Sequence, residues 1–177
     1  MAFLDSIRSF FGPVVETSPD EVVPAPPTTY RLVPLTEKHS KEVLRLNLRC
    51  FKNGENYTKY TFSYLFNEPR SLSYQLVSAA GEMAAFAFVL LDQNGTAHLT
   101  TIGVAPEHRR RGLASRLLSH LDEVLRVKGV STIILELRVS NFAARNLYNE
   151  AGYSIVNRIG RYYSDGEDCF LMLKSLV

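Results

Sequence analysis

The sequence predicts an α/β (α+β) domain built on a mixed, mostly antiparallel central sheet of about seven strands with about four helices. Three observations carry this. From Tyr30 onward, segments with strand character and segments with helical spacing follow one another, which excludes a bundle or a sandwich. Two turn signals, Ala80-Gly81-Glu82 and Asn94-Gly95, join three consecutive strand segments into an antiparallel meander. A long amphipathic segment then precedes the apolar run Ser131–Leu137, so that strand is reached by a helical crossover and lies parallel to the one before it.

Residues 1–27 form an extension that does not read like the remainder. Phe3, Leu4, Ile7, Phe10 and Phe11 recur at helical spacing before Gly12 and Pro13, and Pro19, Pro24, Pro26 and Pro27 then impose an extended linker. With Arg8 as its basic group, the first segment is not expected to anchor to a membrane. Packing against protein, as in a homodimer through the extension, or disorder is the expected outcome.

The domain proper is expected over 28–177. A strand at 29–34 leads to Thr36, an N-cap residue, and to a helix carrying Val43, Leu44, Leu48 and Phe51 on one side. A short helix is expected around 57–66, then strands at 72–79, 83–91 and 96–104. The helix after Gly112 sets Leu117, Leu118, Leu121, Val124 and Leu125 at helical spacing and closes on Lys128 and Gly129. After the strand 131–137, Ser140-Asn141 opens a short helix that ends at Gly152. Two last strands, near 153–163 and 168–174, are joined by Ser164-Asp165-Gly166.

With 177 residues, 46% of them hydrophobic, the chain supports one domain of about 150 residues that buries about two thirds of its surface. A net charge of +2 provides no broad electrostatic footprint for nucleic acid. No apolar run reaches the roughly 20 residues that span a bilayer, and no leader pattern is present, so a cytoplasmic protein is expected. Cys50 and Cys169 lack disulfide-scaffold or Cys-x-x-Cys spacing, and His39, His98, His108 and His120 lack ligand spacing. Reduced thiols and no metal follow as expectations.

The segment His98–Ala114 (HLTTIGVAPEHRRRGLA) runs from a strand bearing Leu99, Ile102 and Val104, through the stop at Pro106, into three arginines that end at Gly112 before a helix. The first turn of that helix exposes unpaired amides and the positive end of its dipole. Gly112 and Ala114 lack the bulk that would hold a phosphate away. The arrangement is an anion socket suited to a pyrophosphate. A dinucleotide fingerprint and a P-loop are excluded by the absence of Gly-x-Gly-x-x-Gly and Gly-Lys-Ser/Thr.

Glu136 is a carboxylate in the otherwise apolar STIILEL. One reading pairs it with Arg138, which alternation puts on the same face; the other makes it a general base acting on an amine. Tyr148 lies on the apolar face of the following helix, as core or as an acid matched to a departing thiolate. Asn141 is a natural cap that could also bind a pantetheine amide, and propensity favours the cap.

Over about 30–177 these segments resemble the GNAT acetyltransferase superfamily, and within it the N-terminal protein acetyltransferases. RRRGLA is similar to the superfamily's Q/R-x-x-G-x-G/A signature, and LELRVSNFAARNLYNEAGY to the bacterial enzymes that acetylate ribosomal-protein N-termini. NLRCFKNGENYTKYTF and RYYSDGEDCFLM are similar to the archaeal and eukaryotic catalytic subunits. The resemblance implies a GNAT fold and acetyl-CoA as cosubstrate, with Ile102, Gly103 and Val104 on the pantetheine arm and Arg109, Arg110, Arg111, Gly112, Leu113 and Ala114 on the pyrophosphate. It implies cofactor contacts from Asn141 and Tyr148, Glu136 as base and Tyr148 as acid. Glu55, Tyr57, Tyr162 and Tyr163 would face a protein or peptide N-terminus. Lys52-Asn53-Gly54 replaces the usual Leu-Pro before Glu-Asn-Tyr, so residue preference does not carry over.

On this reading Glu136, with or without Glu55, takes a proton from the α-amine, a backbone N–H in 102–104 meets the carbonyl oxygen, and Tyr148 protonates the coenzyme A thiolate. Two rivals are an acetyltransferase of small-molecule amines, whose acceptor pocket would be closed and rich in carboxylates, and a non-catalytic acetyl-CoA-binding regulatory domain. The second could dispense with Glu136 and Tyr148.

Overall fold

The meander and the crossover form as the turn signals predict. The computed structural model describes residues 22–51 and 56–177; the expected helix in the first dozen residues, and Glu55, lie outside them. The elements are β1 (Tyr30–Pro34), a 3-10 turn at Glu37–His39, α1 (Ser40–Cys50), α2 (Lys59–Asn67), β2 (Ser71–Ser78), β3 (Met83–Leu91) and β4 (Thr96–Val104). A 3-10 turn at Pro106–His108, α3 (Leu113–Val127), β5 (Thr132–Arg138), α4 (Phe142–Glu150), β6 (Ser154–Ile159) and β7 (Cys169–Ser175) complete the chain. The strands make one sheet in the order β1-β2-β3-β4-β5-β7-β6, in which only β4–β5 is parallel.

Strand β3 explains the layering. Its alternation puts Ala85, Ala87 and Val89 on one face, where they pack with Leu117, Leu118, Leu121 and Leu125 of α3. Phe86, Phe88 and Leu90 point the other way, into a cluster with Val43 and Leu46 of α1 and Phe62 and Leu65 of α2. Small residues let α3 approach on one side, while aromatics fill the space under the two shorter helices. The α4 residues Ala144, Leu147 and Tyr148 belong to the α3 side. Among the described residues no helix is long and apolar enough to cross a membrane.

Two expectations need correction. The inward stripe of α1 is Val43, Leu46 and Asn47, while Leu48 is 45% exposed. Leucines at 44, 46 and 48 cover several helical faces, and contact with β3 selects among them. The sixth strand ends at Ile159, not near 163, because polar groups close the chain into a loop: Asp168 accepts from Arg161 N–H and from Arg158 Nε, both at 2.8 Å. Tyr162 and Tyr163 therefore stand in a loop.

The site depends on a break in the sheet. Strand β5 pairs with β7 along its whole length, but with β4 only at Thr96↔Thr132, Ala97↔Ile133 and His98↔Ile134. Just beyond, β4 carries an extra residue against β3: Thr101 faces Phe88 and Leu99 faces Val89, leaving Thr100 as a bulge. A bulge bends its strand, and β4 parts from β5 at this point.

On the far side of β4, Gly103 faces Phe86 in register, and a Cβ there would meet the Phe86 ring at 2.6 Å and Cys50 Sγ at 3.1 Å. Phe86 is fully buried and has no room to yield. We expect Gly103→Ala to lower unfolding free energy by about 1–3 kcal/mol in urea titrations; an unchanged midpoint would contradict this packing.

Candidate active site

A cavity of about 200 Å³ occupies the gap between the parted strands. Its walls come from both layers. Ala144, Leu147 and Tyr148 reach it from the α3 side, and Phe51 and Tyr57 from the α1–α2 side. Leu99–Ile102 and Val104 of β4 and Glu136–Arg138 of β5 form its edges. The cavity is thus a slot between strands, lined by groups that an unbroken sheet would keep apart.

Glu136 is fixed by a residue that the sequence did not single out. His98 Nε2 lies 2.6 Å from Glu136 Oε2, and both side chains are almost completely buried, at 1% and 6% exposure. His98 Nδ1 meets Thr100 Oγ1 at 3.2 Å. Glu136 Oε1 is buried with no hydrogen-bond partner among the described residues. The expected alternative of a Glu136–Arg138 pair is overturned: alternation does put both on one face, but Arg138 Nη1 binds Asp165 at 2.8 Å and Glu167 at 2.7 Å. The signal for His98 was the parallel register, which sets it opposite Ile134, two residues from Glu136.

Tyr57 lines the slot, and its hydroxyl donates to the carbonyl of the bulged Thr100 at 2.8 Å. Asn47, fully buried on α1, anchors that neighbourhood by donating to Asn56 Oδ1 and Tyr57 O, both at 3.4 Å. Burial, then the nearby Glu136 carboxylate, pushes the Tyr57 phenol far above its ordinary range. Burial alone does the same to Tyr148, whose hydroxyl takes no hydrogen bond among the described residues. A phenol so placed stays protonated at neutral pH. Asn141 lines the slot and caps α4, accepting from Ala144 N–H at 3.1 Å. Cys50 gives no nucleophile, because burial pushes its thiol up to about 11 against the pull of Arg109.

At the mouth of the slot, Ala114 joins the lining. The first backbone hydrogen bond of α3 runs from Arg116 N–H to Gly112 O at 3.0 Å, so the amides of Leu113, Ala114 and Ser115 lie ahead of the helical ladder. Gly112 has φ +71°, with open space where a Cβ would be, which suits an anion approaching the backbone. The arginines diverge: Arg109 donates to Val104 O at 3.3 Å and Cys50 O at 3.4 Å, Arg110 is exposed with φ +61°, and Arg111 turns toward residues 25–30. Gly103 turns its Cα face toward Phe86, away from the slot.

Tyr163 lines the slot beneath Arg138, whose guanidinium stands 4.0 Å from the ring centroid. Tyr162 is buried beside it with ring centroids 5.1 Å apart. Arg138 thereby links the slot to the 160–168 loop. Among the described residues no cluster of His, Cys, Asp and Glu could hold a metal ion.

The profile of the acetyltransferase (GNAT) family matches residues 40–153. The chain is 43% identical over 108 residues to the [ribosomal protein bS18]-alanine N-acetyltransferase of Escherichia coli K12, covering 58% of this chain and 70% of that enzyme. It is 34% identical over 141 residues to the N-alpha-acetyltransferase daf-31 of Caenorhabditis elegans, covering 74% of each. The crystal structure of the ribosomal-protein-S18-alanine N-acetyltransferase from Escherichia coli superposes with a TM-score of 0.76 at 32% identity, over 84% of this chain and 94% of that one. Ard1 from Thermoplasma volcanium shares the fold at the same TM-score and 21% identity, over 84% of this chain and 98% of its own.

The Arg138 clamp has a definite pH sense. The Glu167 amide and Arg138 hold the Asp165 carboxyl below its usual range; burial pushes Glu167 up, but Ser140 N–H and Arg138 outweigh it. Lowered folded values mean that the clamp contributes above the ordinary carboxylate pKa of about 4 and is lost as pH falls through them. Amide protection at Tyr163 and Gly166, measured relative to the intrinsic exchange rate at each pH, should therefore fall on acidification, and should already be low at pH 7 in Arg138→Gln. Equal protection in both proteins at pH 7 would contradict the clamp.

Proposed function

The chain belongs to the acetyltransferase (GNAT) family, whose members draw their acetyl group from acetyl-CoA, and from that premise we propose that it acetylates the N-terminal α-amine of a protein or peptide. One observation carries this reading: Glu136 has one carboxylate oxygen held by His98 and the other free, in the slot that Tyr148 also lines. Bound acetyl-CoA supplies the thioester that the amine attacks. The open backbone at Gly112, the free amides at the start of α3 and the apolar lining fit such a cosubstrate entering from the α3 side. The amides of Leu113 and Ala114, with those of Arg110–Gly112, hold the pyrophosphate, while the Arg109 amide is kept by Pro106 O at 3.3 Å. Backbone groups of Ile102, Gly103 and Val104 and the Asn141 side chain hold the pantetheine arm.

The acceptor then enters from the opposite face, past Tyr57, Tyr162 and Tyr163. Glu136 Oε1 takes the proton that the amine loses as its nitrogen bonds to the acyl carbon. Backbone N–H groups of β4 within 102–104 stabilise the charge that grows on the acyl oxygen. Tyr148 donates its phenolic proton to the sulfur as the carbon–sulfur bond breaks. An α-amine suits this chemistry better than lysine, since roughly a tenth of α-amines is neutral at pH 7 against about one lysine in 2,500. The names of the relatives, a ribosomal-protein alanine N-acetyltransferase and an N-alpha-acetyltransferase, support the same acceptor class.

Glu136→Gln and Tyr148→Phe should each lower turnover by roughly 10²–10⁴ with little change in acetyl-CoA affinity. Near-normal turnover in either variant returns that residue to a structural role. For the acceptor, mass spectrometry of one lysine-containing peptide with its N-terminus free or blocked should show acetylation at the free α-amine and little elsewhere. Tyr162→Ala and Tyr163→Ala should weaken that reaction. Equal modification of lysine in the blocked peptide, or reaction with free polyamines only, would overturn the acceptor class.

A further inference from the structure

The third arginine of the phosphate loop is engaged by the segment that precedes the domain. Arg111 donates through Nη1 to Pro26 O at 3.0 Å and to the Tyr30 hydroxyl at 2.8 Å, and through Nη2 to Ala25 O. The segment is tied down elsewhere too. Ala25 N–H donates to Glu107 O at 2.9 Å, and Arg116 Nη1 donates to Tyr30 O at 3.0 Å. The Tyr30 hydroxyl meets Nδ1 of the buried His108 at 2.9 Å, with the two rings edge to face at 5.6 Å. Residues 25–30 therefore cross the loop from Glu107 to Arg116 and bind it at several points.

The loop has reason to need this. Arg110 and Gly112 both adopt left-handed backbone, at φ +61° and +71°, and a non-glycine residue in that region persists only where its surroundings hold it. The linker's prolines stiffen the other partner: Pro24, Pro26 and Pro27 restrict the chain that presents the Ala25 and Pro26 carbonyls. The expected boundary near residue 28 thus falls inside a packed segment rather than in a free linker.

We propose that residues 25–30 are a strap that positions the phosphate loop, and that the Arg111 side chain acts through the strap instead of as a phosphate ligand. This deepens the cofactor assignment above and rests on it. Held by three oxygen acceptors, the Arg111 fork fixes the turn from which the amides of Leu113 and Ala114 point outward. Loss of the strap leaves those amides present but poorly aimed, so cosubstrate affinity falls while the chemical step is spared.

The test uses the full-length chain, with calorimetry against acetyl-CoA and steady-state kinetics on a peptide acceptor. Tyr30→Phe deletes one hydroxyl and should raise the acetyl-CoA Kd and KM by about three- to tenfold. The turnover number and the peptide KM should stay within twofold. Arg111→Ala should weaken binding at least as much, and the double variant should bind no worse than Arg111→Ala alone, since both act through one element. A wild-type Kd in Tyr30→Phe, or effects that multiply in the double variant, would overturn the strap. Gly112→Glu separates the underlying reading: it places bulk and negative charge at the phosphate and should abolish binding. Normal acetyl-CoA binding in Gly112→Glu removes the cradle itself, whereas abolished binding there with normal binding in Tyr30→Phe removes only the strap.

Discussion

The parallel ladder between β4 and β5 holds for three residue pairs and then opens, where β5 continues its ladder with β7 and β4 carries the bulge at Thr100 that bends a strand. A sheet buried on both faces normally separates the groups on its two sides. Here the opening removes that barrier at one place and leaves strand-edge amides and carbonyls without a neighbouring strand. Such groups are costly inside a protein unless something else satisfies them. Tyr57 takes the carbonyl of Thr100, and Arg109 and Cys50 share that of Val104 at 3.3 Å each. Once the strands part, residues of α4 and residues packed with α1 and α2 line one cavity.

A run of polar contacts crosses the molecule to the same point. Asn47 fixes Tyr57, Tyr57 fixes the carbonyl of Thr100, the Thr100 hydroxyl meets His98, and His98 holds Glu136. A buried carboxylate is costly without partners, and His98 satisfies one of its oxygens. The other faces no described donor, although buried polar atoms are rarely left so. An acceptor withheld from the fold in this way is available to a transient donor, which is what proton removal from an amine requires.

Local signals and non-local ones were not equally legible in the sequence. Strands β3 and β4 begin and end where the reading from Gly81 and Asn94-Gly95 put them, because hairpin turns fix register over short distances. The helix after Gly112 and the parallel crossover were legible from equally local signals, and Glu136 and Tyr148, singled out from their own segments, both line the slot. What escaped depended on residues far apart in the chain. Arg138 could not be assigned to Asp165 and Glu167 without knowing that 160–168 closes into a loop, nor Arg111 to Ala25 and Pro26 without the path of the preceding segment. His98 read as an isolated histidine, since its partner lies 38 positions away on a neighbouring strand.

The most direct measurement of the central claim is a crystal structure with a bisubstrate analogue, in which coenzyme A is linked through an acetyl bridge to the α-nitrogen of a short peptide. The parted sheet predicts the pantetheine arm between residues 99–104 and 136–138, the pyrophosphate on the amides that open α3, and the peptide nitrogen within hydrogen-bond reach of Glu136 Oε1 on the tyrosine side. An analogue whose nitrogen lay away from Glu136, or whose two halves entered from the same face of the sheet, would contradict the account.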